Sequence, residues 1–345
     1  MRALVVEEFG LLPMVQVVPD PEPAPHGAVV RVEATGLCRS DWHAWAGHDP
    51  TIALPHVPGH ELAGRVEAVG ADVRDWQPGD RVTVPFVCAC GTCEQCASGN
   101  QQVCERQTQP GFTGWGSFAE LVALDHADVN LVRLPDEMEM GTAAGLGCRV
   151  ATAYRAVVDQ GRVRPGQWIA VHGCGGVGLS AVMVAVACGA QVVAVDVSAD
   201  ALAMANTLGA VATVDATAVD NVSRAVRDVT GGGAHVSLDA LGSEVTAGNS
   251  IKSLRIRGRH VQVGLLPPVL GHPAIPMARV IAFELEVVGS HGMPAHDYPE
   301  MLELVVSGRL RPDLLVTGRI GLEDAGAALA AMDAARPAGV TVIVP

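Results

Sequence analysis

Between Gly36 and Gly64 a thiol and an imidazole, Cys38 and His60, stand 22 residues apart, each in a segment rich in glycine and acidic residues. Thiolate and imidazole suit zinc, and a catalytic zinc takes three protein ligands and keeps one position open. The third ligand must come from elsewhere in the chain, and Cys148, in Gly145-Leu146-Gly147-Cys148-Arg149, is the candidate. A lone cysteine is most often a small buried hydrophobe and a lone histidine is rarely a ligand, so the neighbours matter. Gly59, Gly64 and Gly70 bracket His60 and would let backbone and metal approach closely. Asp41 offers a carboxylate able to orient the His60 ring.

A second thiol set is local. Cys90, Cys93, Cys96 and Cys104 follow one another at spacings of three, three and eight, which match a closed, tetrahedral, four-thiolate zinc site. A loop of free exposed thiols would be a liability. No coordination position stays open in such a set, so the ion would pin a long loop and take no part in chemistry. Cys88 is left over.

The third chemical element begins at Trp168. The apolar strand Trp168–His172 runs into Gly173-Cys174-Gly175-Gly176-Val177-Gly178, then an apolar helix to Cys188, a stop at Gly189, and a strand Gln191–Val195 ending at Asp196. Gly173, Gly175 and Gly178 follow a strand, open a helix and precede an acidic residue 21 positions after Gly175. That context makes the pattern a dinucleotide fingerprint: the glycines allow a tight turn and close backbone approach, and the helix N-terminus holds the pyrophosphate. Asp196 would accept hydrogen bonds from the adenosine ribose, and a 2′-phosphate there would meet like charge with no arginine among Val197, Ser198 and Ala199 to receive it. NAD is therefore expected over NADP.

At these residues the chain resembles the zinc-dependent alcohol dehydrogenases of the medium-chain dehydrogenase/reductase superfamily. Gly59-His60-Glu61, two residues, Gly64, five residues, Gly70 is similar to that family's zinc signature. Cys38-Arg39-Ser40-Asp41-Trp42-His43 looks like the segment carrying its first ligand and proton relay, and the likeness extends over essentially the whole chain. The resemblance implies Cys38, His60 and Cys148 as ligands of a catalytic zinc, with Glu61 close behind it, and the four-cysteine lobe as a structural site. Two zinc ions per chain and NAD are thus the expected cofactors. It also implies Arg39 at the cofactor pyrophosphate, Gly176, Val177, Val263 and Ser290 along the cofactor, and Phe86 as a wall of the substrate pocket, with Trp45 and Trp115 as further wall candidates. The chain departs from many relatives near its C-terminus, where Ala338-Gly339-Val340-Thr341 stands in place of a second phosphate-binding arginine.

The chemistry implied is reversible hydride transfer between an alcohol and NAD, giving an aldehyde or ketone. Zinc would acidify the alcohol and stabilise the alkoxide. Ser40 would take the proton and pass it through a cofactor ribose hydroxyl to His43, whose ordinary pKa of about 6.5 lies near working pH. A polyol or amino-alcohol dehydrogenase of the same superfamily is an alternative, but those relatives usually carry an acidic residue where Cys148 stands. A zinc-free, quinone reductase-like relative would lack the ligand set.

The elements that must position these groups divide in two. Residues 1–150 alternate short apolar runs with turns, as at Ala3–Val6, Val29–Val32, Gly64–Val69 and Arg81–Pro85. From Trp168 strands and helices alternate. Ser198 would cap a helix that Gly209 stops, a strand covers Val211–Val214, a helix 219–229, and strands Val236–Asp239, His260–Gly264 and Glu286–Gly289 follow. Six such strands make a doubly wound parallel sheet. After Gly289 come helices near Pro299–Ser307 and Glu323–Ala335 and a strand Val340–Val344. The expected class is α/β: a Rossmann NAD-binding domain over 151–289, and a discontinuous, β-rich, GroES-like catalytic domain over 1–150 and 290–345.

Composition bounds the partners. Hydrophobic residues at 49% and charged residues at 17% fit a soluble enzyme, and a net charge of −14 disfavours nucleic acid and anionic membranes. Lys252 is the only lysine, so Schiff-base chemistry has one unpromising candidate. Glu7 and Glu8 stand where a signal peptide would be apolar, no apolar run suggests a membrane span, and nine cysteines then read as ligands and free thiols in a cytoplasmic setting. The partner is a small alcohol, aldehyde or ketone. By resemblance the chain assembles as a homotetramer, with a dimer as the alternative, because it lacks room for the long insertion of the dimeric animal enzymes.

Overall fold

In the computed structural model, which describes residues 1–266, 274–333 and 338–345, the alternating segments after Trp168 form one six-stranded sheet. Across it the strands run Ala212–Asp215, Gln191–Asp196, Trp168–His172, Ala234–Asp239, Leu254–Gln262 and Glu286–Gly289, all parallel. Strand order reverses at Trp168–His172, which lies between the second and the fourth strand of this half. The crevice beyond the carboxyl ends of such strands is where open α/β sheets bind ligands, and Gly173 begins there. Trp168–His172 is buried on both faces apart from Trp168, which explains its unbroken apolar run. The helix that follows, Gly176–Ala187, is apolar on every side because it is enclosed by the sheet and by Ala151–Arg155.

Strand Leu254–Gln262 starts well before the expected His260, because exposed Arg255, Ile256 and Arg257 interrupt the apolar pattern between buried Leu254 and the buried His260 end. Val263 and Gly264 have already left the strand, and their N–H groups both donate to the Asp239 carbonyl. Ser198 caps helix Ala199–Thr207 through Oγ, which accepts from the Ala201 N–H at 3.3 Å.

The second large sheet has seven strands. Its path is Val316–Gly321, Val340–Val344, Ala28–Gly36, Leu62–Val69, Arg81–Thr83 and Val132–Arg133, with Leu121–Leu124 added against Ala28–Gly36. Val340–Val344 lies beside Ala28–Gly36, pairing Val342 with Gly36 and Ile343 with Thr35, and the Leu37 N–H donates to the Thr341 carbonyl at 2.9 Å. The last residues of the chain therefore brace the exit of the strand that leads into Cys38. Strand Val316–Gly321 was not anticipated; its alternate residues are exposed, and Thr317, Gly318 and Arg319 hide the pattern. The tail helices are Tyr298–Val306 and Leu322–Ala331; the second ends before the expected Ala335, since Met332 and Asp333 already form a turn, and 334–335 lie outside the described residues. Among the described residues no helix is long and apolar enough to cross a membrane.

Candidate active site

Three backbone devices bring the first metal set together. Cys38 stands just ahead of the short helix Arg39–Trp45, at the end of the braced strand. His60 precedes Leu62–Val69, which is antiparallel to that strand, so both segments arrive at one end of the sheet. Cys148 lies in a π-helical turn, Leu146–Val150, of the kind that often marks a functional position. That turn is held from the tail by Tyr298, fully buried, whose hydroxyl donates to the Leu146 and Gly147 carbonyls at 3.3 Å each. Tyr298 carried no signal in the sequence, since its partners are about 150 residues away.

One ligand atom each from Cys38, His60, Glu61 and Cys148 lies within 4.8 Å of the others. The Cys38 thiol sits well below its ordinary range, chiefly because Cys148 donates to it and then because His60 and Arg149 are near, while Cys148 is pushed up by the same contact and by burial. Burial opposes charge on His60, but Asp41 and the Cys38 sulfur outweigh it and hold the imidazole well above its usual value. The protons bridging these groups are the ones an ion at their centre would displace, and a two-thiolate, one-imidazole set is a zinc donor set. Glu61 is buried and paired with Arg149, Nε to Oε1 at 2.9 Å and Nη2 to Oε2. This engages the carboxylate away from the ligand role and leaves three protein donors.

The four-cysteine set is also assembled. Sulfur–sulfur distances are 3.4 Å for Cys93–Cys96, 3.7 Å for Cys93–Cys104 and 4.0 Å for Cys90–Cys96. Four sulfurs about 2.3 Å from one tetrahedral ion would stand roughly 3.8 Å apart. Backbone N–H groups of Cys90 and Arg106 donate to Cys104 Sγ, and Arg106 Nη2 donates to Cys90 Sγ at 3.4 Å. Hydrogen bonds, first from the Thr92 backbone, lower the Cys90 thiol to about 5, whereas burial raises Cys96 to about 12. Cys88 packs with Val30, Val66, Val82 and Val84 of the seven-stranded sheet's core and stays a thiol, pushed up to about 12 by burial.

On the cofactor side Gly173 has φ +88°, a Cβ on Gly178 would lie 1.7 Å from the Gly173 carbonyl oxygen, and a Cβ on Gly175 would meet open space. Asp196 is tied to this turn: Oδ2 accepts from the Cys174 N–H at 2.6 Å, and Oδ1 from Val197 and Ser198 at 2.8 and 2.9 Å. Val263 and Ser290 lie at the carboxyl ends of the neighbouring strands, and Ser290 Oγ is buried without a partner among the described residues. Arg39 stacks over the Trp42 ring at 4.8 Å. Ser40 Oγ has no hydrogen-bond partner among the described residues, and His43 Nδ1 lies 2.9 Å from Nδ1 of His48.

The pocket walls differ from expectation. Phe86 is edge-on to His60 at 6.3 Å between ring centroids, but the closer ring is Phe112 at 5.1 Å, which sequence reasoning missed. His291, 5.1 Å from Phe86, joins from the other half of the chain. Trp45 instead donates from Nε1 to the Leu11 carbonyl and packs with Leu4, Val57 and Phe118. Trp115 donates to the Pro55 carbonyl and lines a separate groove with Met1, Pro110 and Leu124. Trp45 thus packs against the core, whereas Trp115, 40% exposed, lies on that separate groove.

Comparison with known proteins gives concordant results. Residues 24–136 match the family described as alcohol dehydrogenase GroES-like domain, and residues 176–307 the family described as zinc-binding dehydrogenase. An alcohol dehydrogenase of Rhizobium meliloti (strain 1021) is 37% identical over 312 residues, 90% of this chain and 89% of that protein. The solved alcohol dehydrogenase TADH from Thermus sp. ATN1 superposes with a TM-score of 0.90 at 35% identity, over 100% of this chain and 99% of that one. A solved NAD-dependent alcohol dehydrogenase superposes with a TM-score of 0.89 at 32% identity, over 100% of both chains.

Proposed function

The chain belongs to the zinc-dependent alcohol dehydrogenases of the medium-chain dehydrogenase/reductase superfamily, and from that premise we propose that it interconverts an alcohol with its aldehyde or ketone, using NAD. The observation that carries the proposal is the three-donor cluster of Cys38, His60 and Cys148, joined through the neighbouring Arg149 to the glycine turn at the strand switch point. Zinc bound by the three donors supplies Lewis acidity toward the alcohol or carbonyl oxygen, and NAD at the glycine turn supplies the hydride acceptor. Cys38, His60 and Cys148 hold the metal, Asp41 orients His60, and Glu61 with Arg149 closes the cluster from behind. Ser40 accepts the alcohol proton at Oγ and His43 holds it at the surface, where His48 offers a second imidazole. Phe86 and Phe112 beside His60 favour an apolar or aromatic alcohol. The four-cysteine set holds a structural zinc.

The domain division at 150 and 289, a cytoplasmic setting and the homotetramer belong to the same reading. Self-association is supported by the edge strand Glu286–Gly289 and by exposed Ile256, Met277 and Ile281 near it. The test of function is a panel of primary, secondary, polyol and aromatic alcohols with NAD, followed by the absorbance of reduced nicotinamide. Turnover with simple or aromatic alcohols that disappears on chelation is the expected result; turnover confined to polyols, or unaffected by metal removal, would overturn it.

A further inference from the structure

The guanidinium of Arg149 is 4% exposed and has a division of labour. Its Nε donates to Glu61 Oε1 at 2.9 Å, and Nη2 donates to Glu61 Oε2 and to the Leu37 carbonyl, the latter at 3.1 Å. Those three hydrogens are satisfied. The two on Nη1 have no protein partner among the described residues, and Nη1 is not sealed from solvent as the buried orphan atoms of this molecule are, so it is open to a ligand.

Nη1 faces the cofactor turn. A Cβ built on Gly176 would lie 3.1 Å from Nη1 and 3.2 Å from Arg149 Cδ, so glycine at this position keeps the guanidinium against the first turn of helix Gly176–Ala187. A Cβ on adjacent Gly175 would meet nothing within 4 Å, which marks open space in front of both. An unpartnered, nearly buried cationic donor beside the N-terminus of a 12-residue helix is complementary to an anionic oxygen. The described C-terminal residues Ala338, Gly339, Val340 and Thr341 offer no cation.

We propose that Arg149 donates through Nη1 to the pyrophosphate of the bound dinucleotide, supplying the second phosphate-binding cation from the residue next to a zinc ligand. The assignment rests on the dinucleotide reading above. It adds to Arg39 a cation whose other edge is clamped by Glu61, so the donor is already oriented before the cofactor arrives and little side-chain freedom is lost on binding.

The test compares NAD, ADP-ribose and adenosine binding by calorimetry to the zinc-loaded enzyme and its Arg149→Met variant. NAD and ADP-ribose should bind about 10- to 100-fold more weakly to the variant, the loss of a charged hydrogen bond, while adenosine, which lacks the pyrophosphate, binds as before. Arg149→Met strands the Glu61 carboxylate, so the double variant Glu61→Gln/Arg149→Gln, which replaces the buried ion pair with a neutral pair, is measured in the same way and keeps the test valid if the single variant does not fold. Equal weakening of adenosine and ADP-ribose would make Arg149 a purely structural residue, and unchanged ADP-ribose binding would make it a clamp for Glu61 alone; either overturns the proposal. Wild-type enzyme that binds neither NAD nor ADP-ribose would overturn the dinucleotide reading itself.

Discussion

Nδ1 of His60 lies 2.9 Å from Oδ1 of Asp41, and both side chains are buried. The carboxylate accepts the Nδ1 hydrogen and so leaves Nε2 with its lone pair free for a metal. The same carboxylate accepts the backbone N–H of Gly59 at 3.1 Å and that of Cys38 at 3.0 Å. One aspartate therefore sets the tautomer of one ligand and the backbone of both ligand segments. Asp41→Asn should weaken the catalytic zinc about 10- to 100-fold, while the four-cysteine zinc is unaffected. Chelator competition on the two ions separates them, and an unchanged affinity at the first site would remove Asp41 from this role.

Two zinc ions per chain, unequal in accessibility, are expected from one closed donor set and one open one. Cys93→Ser should lower thermal stability more than it lowers turnover. Cys38→Ser should abolish turnover in a chain that still folds. Elemental analysis with circular dichroism checks both, and one zinc or none in carefully prepared protein contradicts the scheme.

Asp196 should set cofactor choice, because its carboxylate is fixed by three backbone N–H groups at the mouth of the glycine turn. Asp196→Gly together with Val197→Arg should move preference toward NADP by removing like charge and adding a phosphate partner. The ratio of kcat/KM for the two cofactors is the measurement. Wild-type enzyme that already prefers NADP would defeat the reading.

The pH profile tests the proton path. Burial, then His48 and Arg39, hold the His43 imidazole below its ordinary value of 6.5, so its proton-accepting form persists into mild acid and the acid limb of alcohol oxidation should fall below that pH. His43→Ala should slow oxidation most below about pH 7, where solvent base is scarce, and added imidazole should restore part of the rate. Ser40→Ala should be worse and resist rescue, because the first acceptor is lost. An unchanged profile for His43→Ala would return His43 to the status of a surface histidine.

Glu139 caps helix Met140–Ala144, accepting from the Thr142 N–H, and pairs with Arg319 at 2.8 and 2.9 Å. The Arg319 bond leads the causes that lower its carboxyl from 4.5 to about 2. A depressed carboxyl contributes stability that is present above 4.5 and fades as pH falls toward about 2. Both partners are half exposed, so Glu139→Gln should cost only about 1 kcal/mol at neutral pH. Denaturant unfolding should show that gap narrowing below pH 4.5. A gap independent of pH would mean that the ionised Glu139 carboxylate contributes nothing to stability.

Local spacing determined the parts whose chemistry is local. The four cysteines lie within fifteen residues and the glycine turn within six, so ligand geometry and turn sterics are already written in the order of residues. The buried strand Trp168–His172 was legible to the residue because its run stays apolar as far as His172, whereas Val316–Gly321 was not, because half its residues face water. The tertiary structure alone decided which distant residues meet. Arg149 finds Glu61 88 residues away, Tyr298 reaches across to Gly147, Phe112 and not Trp115 turns to His60, and the last strand braces Leu37. An arginine, a tyrosine or a tryptophan has the same intrinsic preferences wherever it stands. Its role is set by long-range strand pairing and helix packing, which no short window of the chain contains.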